Sequence, residues 1–259
     1  MNTTQESSYP LQAPGPYDRR RLSGPPRYRF YCPDLVLPTL SAKRIHLDPD
    51  QARHARRVLR MGIGDPVELF NGQGDIADAR LGEDDHVQVE RVRHTARPSP
   101  VIDLAVSFPK AGRGDGMTHA LVQLGADALI PLLTEHSVVD PRPQKLHRLQ
   151  KAAIESAKQC GRAYLMRIAP VTLLRDVLRR HYDLRLMADT IAGDCPADVD
   201  PMLADAKNVL ILIGPEGGWT DAERNLAREH GCIAWQLGPH VLRIETAAAA
   251  AIAIARRGT

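Results

Sequence analysis

The sequence predicts an α/β protein of two domains, in which a small β-rich domain precedes a larger domain built on a mostly parallel sheet. Asn71-Gly72 lies between two short alternating segments, which is the strongest short-range signal for a β-hairpin. After Pro100, short apolar segments alternate with amphipathic stretches, as strands alternate with crossover helices in a parallel sheet. A length of 259 residues, 43% of them hydrophobic, is more than one ordinary domain needs.

The N-terminal part of the chain is basic and begins with a segment that is predicted to be disordered. Residues 1–26 contain five prolines, few large apolar residues and the triplet Arg19-Arg20-Arg21, a composition that cannot bury enough surface to order itself. Residues 1–60 hold eleven Lys and Arg against five Asp and Glu, although the whole chain has a formal net charge of only +3. This balance favours a polyanionic partner such as nucleic acid, but the Arg-rich composition of the chain would produce such a surface without one.

Residues 27–97 are predicted to form the small domain, with five short strands and one basic helix. The strands are expected at Tyr28–Tyr31, Ile45–Leu47, Val67–Phe70, Ile76–Ala79 and Val87–Val92. Asp48 and Pro49 are typical of an N-cap and a first helical position, so a helix is expected from there to about Arg60. The breaker Arg97-Pro98-Ser99-Pro100 closes the domain.

Residues 98–259 are predicted to form the α/β domain. Its strands are expected at Val101–Phe108, Ala128–Leu133, Leu184–Ala188, Val209–Ile213 and Ile233–Leu237. Apolar residues recur at helical spacing over 144–160, and Gly161 offers a C-terminal cap that leaves Arg162 in the loop beyond. An alanine-rich helix is expected over Thr246–Arg257.

The composition excludes several classes of protein. No apolar stretch approaches the roughly 18 residues of a membrane-spanning helix, and the first residues lack the basic and apolar regions of a secretory signal. Cys32, Cys160, Cys195 and Cys232 are scattered singly, which predicts neither a disulfide framework nor a zinc site. We therefore expect a cytoplasmic protein with no membrane partner and no metal.

Two strand–loop–helix segments could carry chemistry, and the first surrounds Gly214-Pro215-Glu216-Gly217-Gly218. Its glycines permit positive φ or close backbone approach, and Thr220 with Glu223 forms a capping box for the next helix. Ligands of open α/β sheets bind at the carboxyl ends of strands, where this loop is expected. The segment is a candidate binding loop, although a plain connecting turn would have the same pattern. Glu216 disfavours a phosphate as the ligand.

The second segment runs from Leu237-Gly238 to Glu245-Thr246-Ala247. Arg243 and Glu245 lie at the start of the alanine-rich helix, whose free amides and dipole favour an anion or a hydrogen-bond acceptor. Two such loops after adjacent strands would frame one pocket. By themselves, however, Arg243 and Glu245 are more typical of a surface ion pair.

Together these motifs resemble the C-terminal signature of the RsmE family, SPOUT-class methyltransferases that modify N3 of a uridine in small-subunit (16S) ribosomal RNA. The signature comprises Ile213 to Gly218, Leu237-Gly238, Leu242-Arg243 and Glu245-Thr246-Ala247. Five segments resemble the central motifs of the family, namely Leu124-Gly125, Ile130-Pro131, Thr134-Glu135, Ser137-Val138 and Gln159-Cys160-Gly161-Arg162. Others resemble its N-terminal PUA-like domain, namely Arg29-Phe30-Tyr31, His54, Val58-Leu59-Arg60, Gly64-Asp65 and Leu69-Phe70-Asn71-Gly72 with Gly74.

The resemblance implies a trefoil-knotted SPOUT domain, preceded by a small PUA-like β-barrel, that binds S-adenosylmethionine in the knot loops. It also implies a homodimer that acts on small-subunit ribosomal RNA or on the assembled small subunit, whereas physical rules alone predict only an unknotted sheet. The cofactor is expected to contact Ala188, Ile213, Gly214, Glu216, Gly217, Gly218, Leu237, Gly238, Leu242, Thr246 and Ala247. The RNA is expected to contact Arg29, Arg56, Arg57, Arg60, Lys110 and Arg113.

Methylation of uridine N3 requires a base or a cation, because N3 carries a proton at neutral pH and becomes nucleophilic only as that proton leaves. Arg162 and Arg243 are the candidate catalytic cations. Glu245 is the candidate base, with Glu216 second. For Arg162 the alternative is a helix-end arginine that binds main-chain carbonyls.

Some positions depart from the pattern of the family. The helix expected over 115–124 has His119, Ala120 and Gln123 where the family usually has Gln, Lys and Glu, and His136 replaces a common Arg. These departures motivate an alternative function, a catalytically inactive RNA-binding or ribosome-assembly protein with the same fold. A nucleotide-binding α/β enzyme unrelated to methylation is a third hypothesis, which is weakened because the sequence contains neither phosphate-loop motif.

Overall fold

In a computed structural model of the chain, the described residues are 28–35, 44–110, 112–138, 141–190 and 199–257. The predicted basic tail, residues 1–26, lies outside them, as does Cys195. The described residues form two sheets, one for each predicted domain.

The first sheet consists of β1 (Tyr28–Tyr31), β2 (Arg44–His46), β3 (Pro66–Phe70), β4 (Asp75–Leu81) and β5 (His86–His94). Their order is β1-β3-β4-β5-β2, with β1 parallel to β3 and every other pair antiparallel. The five predicted strands are confirmed. Among the described residues β1 and β2 are the edges of this sheet, and the barrel that the resemblance implies stays a prediction.

The predicted hairpin joins β3 to β4, and the side chain of Asn71 organises its turn. Asn71 Oδ1 accepts hydrogen bonds from the backbone amides of Gln73 (2.8 Å) and Asp75 (3.1 Å). Gly72 and Gly74 have φ angles of 76° and 102°. The connection spans residues 71–74 and is longer than the two-residue turn that Asn-Gly favours, because the Asn71 side chain satisfies the turn amides.

A short helix, α1 (Pro49–Arg53), follows β2 and continues as a π-helical turn over His54–Val58. Asp48 is its N-cap, as predicted, since Asp48 Oδ1 accepts hydrogen bonds from the next two free amides of the helix. The helix ends earlier than expected because Arg60 has a φ of 55°, which no helical residue adopts.

The second sheet is parallel throughout and contains β6 (Val101–Ser107), β7 (Ala128–Leu133), β8 (Arg167–Ile168), β9 (Thr172–Leu173), β10 (Leu184–Ala188), β11 (Asn208–Ile213) and β12 (Cys232–Trp235). The order is β12-β10-β11-β6-β7-β8, and β9 also pairs with β7. The five predicted strands are confirmed. β8 and β9 have two residues each, too few for a hydrophobic pattern to predict.

Among the described residues, six helices accompany the second sheet: α2 (Gly114–Leu124), α3 (Pro143–Cys160), α4 (Leu174–Leu178), α5 (Asp200–Asp205), α6 (Asp221–Glu229) and α7 (Ile244–Ala255). α3 ends at Gly161, whose φ is 79°, so the predicted cap is confirmed. α7 buries small side chains such as Ala248 and Ala251, and it packs on β6 and β11. Within the described ranges, no helix has both the length and the hydropathy that crossing a bilayer requires.

Arg29, predicted as an RNA contact, joins the two domains and is buried. Its side chain is 7% exposed, and its Nε lies 2.5 Å from Glu68 Oε1. Its Nη1 donates hydrogen bonds to the carbonyls of Ala157 (2.9 Å) and Arg162 (3.1 Å) at the end of α3. The guanidinium also lies over the Phe70 ring, 4.5 Å from its centroid. A guanidinium held in this way cannot reach a phosphate.

Candidate active site

A cleft opens at the carboxyl ends of β10, β11 and β12. Neighbouring parallel strands end at the same edge of a sheet, so the loops at 188–190, 213–219 and 235–242 meet there, and the start of α7 closes one side. The cleft has a volume of about 750 Å³ when its open mouth is included. Both candidate loops of the sequence therefore frame one pocket.

Trp219 holds two of these loops together, and Gly214 makes room for it. The Trp219 indole is buried and its Nε1 donates a hydrogen bond of 2.9 Å to the carbonyl of Ala188. A Cβ atom on Gly214 would lie 2.7 Å from Trp219 Cε2, closer than side chains approach one another. The predicted capping box of Thr220 and Glu223 is also confirmed. The glycine in this loop is thus required by close packing beside the cleft.

Four charged side chains form a network at the rim of the cleft. Arg113, just before α2, places Nη2 2.8 Å from Glu216 Oε1 and Nη1 3.1 Å from Glu245 Oε1. Lys110 Nζ lies 3.5 Å from Glu216 Oε2. The other Glu245 oxygen, Oε2, is buried and has no hydrogen-bond partner among the described residues. Lys110 and Arg113 were predicted as RNA contacts, but in the structure they form ion pairs with two other predicted site residues. These are Glu216, predicted to contact the cofactor, and Glu245, predicted as the base.

Nine of the eleven predicted cofactor contacts line the cleft: Ala188, Ile213, Gly214, Glu216, Gly218, Leu237, Gly238, Leu242 and Ala247. Gly217 and Thr246 do not. A Cβ on Gly217 would lie 3.2 Å from His136 Cβ, so Gly217 faces the β7–α3 loop, and Thr246 is exposed on the first turn of α7.

Eight lining residues were not among the predicted cofactor contacts: Asp189, Thr190, Pro215, Trp219, Trp235, His240, Val241 and Ile244. The two tryptophans carry a signal that could have found them. The chain has only two Trp, and both lie within a few residues of the end of a predicted strand. A rare aromatic residue at the mouth of a parallel sheet is typical of a ligand pocket.

Arg162 does not line the cleft, and its role as a catalytic cation stays a prediction. Its Nη1 donates to the carbonyl of Val122 (3.2 Å), and its Nη2 lies 3.3 Å from Oδ1 of Asp127, whose side chain is 1% exposed. Arg97 and Arg256 contact the same carboxylate. These contacts agree with the alternative, a helix-end arginine that binds main-chain carbonyls. Arg162 therefore belongs to a cluster of charged side chains around Asp127.

Arg243 is exposed at the N-cap of α7, beside the lining residues Leu242 and Ile244, and its side chain makes no hydrogen bond or ion pair with the described residues. On the small domain, Arg56 donates to the carbonyl of Gly82 (2.5 Å). Arg57 and Arg60 are exposed. Arg57, Arg60 and Arg243 are exposed predicted cations that form no ion pair with the described residues, and the exposed Lys110 is paired with Glu216.

Cysteine and metal chemistry find no support in the part of the chain that the structure describes. Burial raises the pKa of the Cys232 thiol to about 11, which disfavours a reactive thiolate. No group of three or more His, Cys, Asp or Glu side chains in that part of the chain is arranged to hold a metal ion.

Comparison with known proteins agrees with this architecture. The RNA methyltransferase domain family matches residues 97–256, and the RNA methyltransferase PUA domain family matches residues 47–90. The ribosomal RNA small subunit methyltransferase E of Synechocystis sp. is 31% identical over 222 residues, which cover 81% of this chain and 71% of that protein. The protein of the same name from Bacillus subtilis is 28% identical, with 76% of this chain and 84% of that protein covered.

Solved structures show the same likeness. The ribosomal RNA small subunit methyltransferase E of Neisseria gonorrhoeae, bound to S-adenosylmethionine, superposes with a TM-score of 0.76 at 30% identity. The superposition covers 88% of this chain and 95% of that one. Because the methyltransferase domain family matches more than half of the chain and the relatives span both domains, the chain belongs to the ribosomal RNA small subunit methyltransferase E family.

Proposed function

We propose that this protein transfers the methyl group of S-adenosylmethionine to N3 of a uridine in small-subunit ribosomal RNA. The observation that carries the proposal is the cleft at the ends of β10, β11 and β12, in a chain whose Neisseria gonorrhoeae relative is solved with S-adenosylmethionine bound. S-adenosylmethionine supplies an electrophilic methyl group on a sulfonium. The protein has to position this methyl group in line with N3 and assist the loss of the N3 proton.

The residues of the cleft fit such a cofactor. Trp235, Leu237 and Leu242 offer an apolar wall for an adenine ring, and the loops present backbone groups that can read its edge. Gly214 holds the loop backbone against Trp219, in a space that a Cβ would fill. The carboxylate of Glu216 lies on the lining, where it would favour the positively charged sulfonium or ammonium group.

The proposed substrate surface includes the exposed basic side chains of the small domain. Arg57 and Arg60 are exposed near the end of the π-helical turn, and Val58 between them is 65% exposed. Guanidinium groups on such a surface can bind RNA phosphates and release the salt ions bound there. The affinity for RNA is therefore expected to fall as the salt concentration is raised.

The trefoil knot and the homodimer belong to this proposal as well. The half-buried apolar side chains of Ala249, Ala250 and Ile254 on α7 support a self-association surface.

Two measurements test the proposal together. Calorimetric titration is expected to show binding of S-adenosylmethionine to the purified protein. Unmodified small-subunit RNA, free and assembled into subunits, is expected to gain one methyl group, and an N3-methyl group will stop reverse transcription at the modified uridine because it blocks base pairing. RNA binding that weakens with salt, without any binding of S-adenosylmethionine, would instead support the inactive RNA-binding protein.

Arg243 is the proposed catalytic cation, since it is exposed next to the cleft and stabilises the negative charge that develops on the uracil ring. We expect Arg243→Ala to lower kcat by about 100- to 1000-fold, the usual cost of removing one such group. The dissociation constant for S-adenosylmethionine is expected to stay unchanged. Arg243→Lys keeps the charge and is expected to retain part of the rate. Equal turnover by Arg243→Ala and the native protein would remove Arg243 from the mechanism.

A further inference from the structure

A second depression adjoins the cofactor cleft. It is shallow and shares Pro215, Glu216 and Ile244 with the wall of the cleft. Its far side is formed by the ends of β6 and β7 and the loops that follow them. A group at this depression and a ligand in the cleft would therefore lie on opposite sides of residues 215–216.

His136 lines this depression and is held by the cofactor loop. His136 Nδ1 lies 3.1 Å from the carbonyl oxygen of Gly218, and the ring packs on Gly217. A carbonyl oxygen can only accept a hydrogen bond, so Nδ1 must carry the proton. In the neutral ring, Nε2 then has a lone pair and is a hydrogen-bond acceptor. The side chain is exposed, so a macromolecular substrate can reach it.

The other polar groups near the depression are less suited to accept a proton. Glu216 is paired with Lys110 and Arg113, so a proton taken up by its carboxylate would cost an ion pair. Glu245 is paired with Arg113 through Oε1, and its other oxygen, Oε2, is buried in a residue that does not line the depression. Lys110 is a cation with three donors and no acceptor. The hydroxyl of Ser137 already bonds the Thr134 amide at 2.9 Å. Protonation of His136 at Nε2 therefore breaks no ion pair among the described residues.

We propose that His136 is a catalytic residue that accepts the N3 proton of the target uridine, an inference that rests on the proposed function. The proton passes from N3 to His136 Nε2, and the electron pair left on N3 forms the bond to the methyl carbon. The carbon–sulfur bonding pair stays on sulfur as a neutral thioether, and the imidazolium later releases its proton to water. The charged groups lining the same depression are Lys110 and Glu216, of opposite sign.

The test compares His136→Gln with the native protein over a range of pH. Glutamine keeps a polar side chain but is no base, so we expect kcat near pH 7 to fall by about 100-fold or more. The ratio of the native rate to the variant rate is expected to be largest near neutral pH, where N3 carries its proton and needs a base. At alkaline pH the two rates converge because N3 loses its proton without help. His147→Gln, an exposed histidine on α3, is the matched control.

Three further readouts separate a base from a structural contact. Binding of S-adenosylmethionine to His136→Gln is expected to match the native protein, and added imidazole is expected to restore part of the rate of His136→Ala. Nitrogen-15 spectra of histidine-labelled protein are expected to lose one Nδ1–H ring signal in His136→Gln, while the signal of His230, whose Nδ1 lies 3.0 Å from the Leu226 carbonyl oxygen, remains. Equal rates for the native protein and the variant, or a loss confined to cofactor binding, would overturn the role of His136. An inactive native protein would instead overturn the proposed function.

Discussion

Gly214→Val is expected to weaken binding of S-adenosylmethionine by about 100-fold, within the ~1–3 kcal/mol that overpacking costs. A Cβ at this position would lie 2.7 Å from Trp219 Cε2 and 2.9 Å from Trp219 Nε1. The indole cannot move aside easily, because it is buried and its Nε1 is bonded to the Ala188 carbonyl. The loop must therefore shift, and it lines the cleft at Ile213 and Gly218. Calorimetric titration measures the effect.

The matched control is Gly116→Val, which makes the same substitution in α2. A Cβ on Gly116 meets no atom within 4 Å, so this variant is expected to bind S-adenosylmethionine as the native protein does. Circular dichroism of both variants shows whether the fold is retained. Native affinity in a folded Gly214→Val protein would mean that the cofactor does not depend on the loop at 213–219.

Asp127→Ala is expected to lower the free energy of unfolding by about 3–5 kcal/mol, the usual cost of removing one partner from a buried ion pair. Asp127 Oδ2 accepts a hydrogen bond from the Ile102 amide (2.9 Å) and lies 2.6 Å from Arg256 Nη2. The side chains of Arg162 and Arg256 are 10% and 11% exposed, so both cations lose a counter-charge that water replaces poorly. Urea denaturation, followed by circular dichroism, measures the change.

The control for Asp127→Ala is Asp115→Ala. Asp115 pairs with Lys145 (3.1 Å) and Arg148 (2.7 Å), but its side chain is 36% exposed, and a surface pair of this kind contributes about 1 kcal/mol at most. Asp127→Asn, which keeps an acceptor oxygen, is expected to fall between the two. Equal losses for Asp115→Ala and Asp127→Ala would show that the Asp127 cluster is not a stabilising centre.

The elements of both sheets could be predicted because their signals are local. The buried apolar run of β11 describes the surroundings of one strand. Asp48, Thr220 and Gly161 stand at helix ends for reasons that concern only neighbouring amides and carbonyls. Both candidate loops were found in the same way, since each follows a predicted strand.

The sequence by itself determined ten of the twelve described strands, the helix caps at Asp48, Gly161 and Thr220, and the two loops of the cleft, because neighbouring residues decide them through backbone geometry and burial. Only the tertiary structure decided what the arginines do. Arg29 meets Ala157, 128 positions away, and Arg113 meets Glu245, 132 positions away, so neither partner leaves a local pattern. A guanidinium is charged in every setting, and its role depends on which carboxylate or carbonyl the fold brings within about 3 Å.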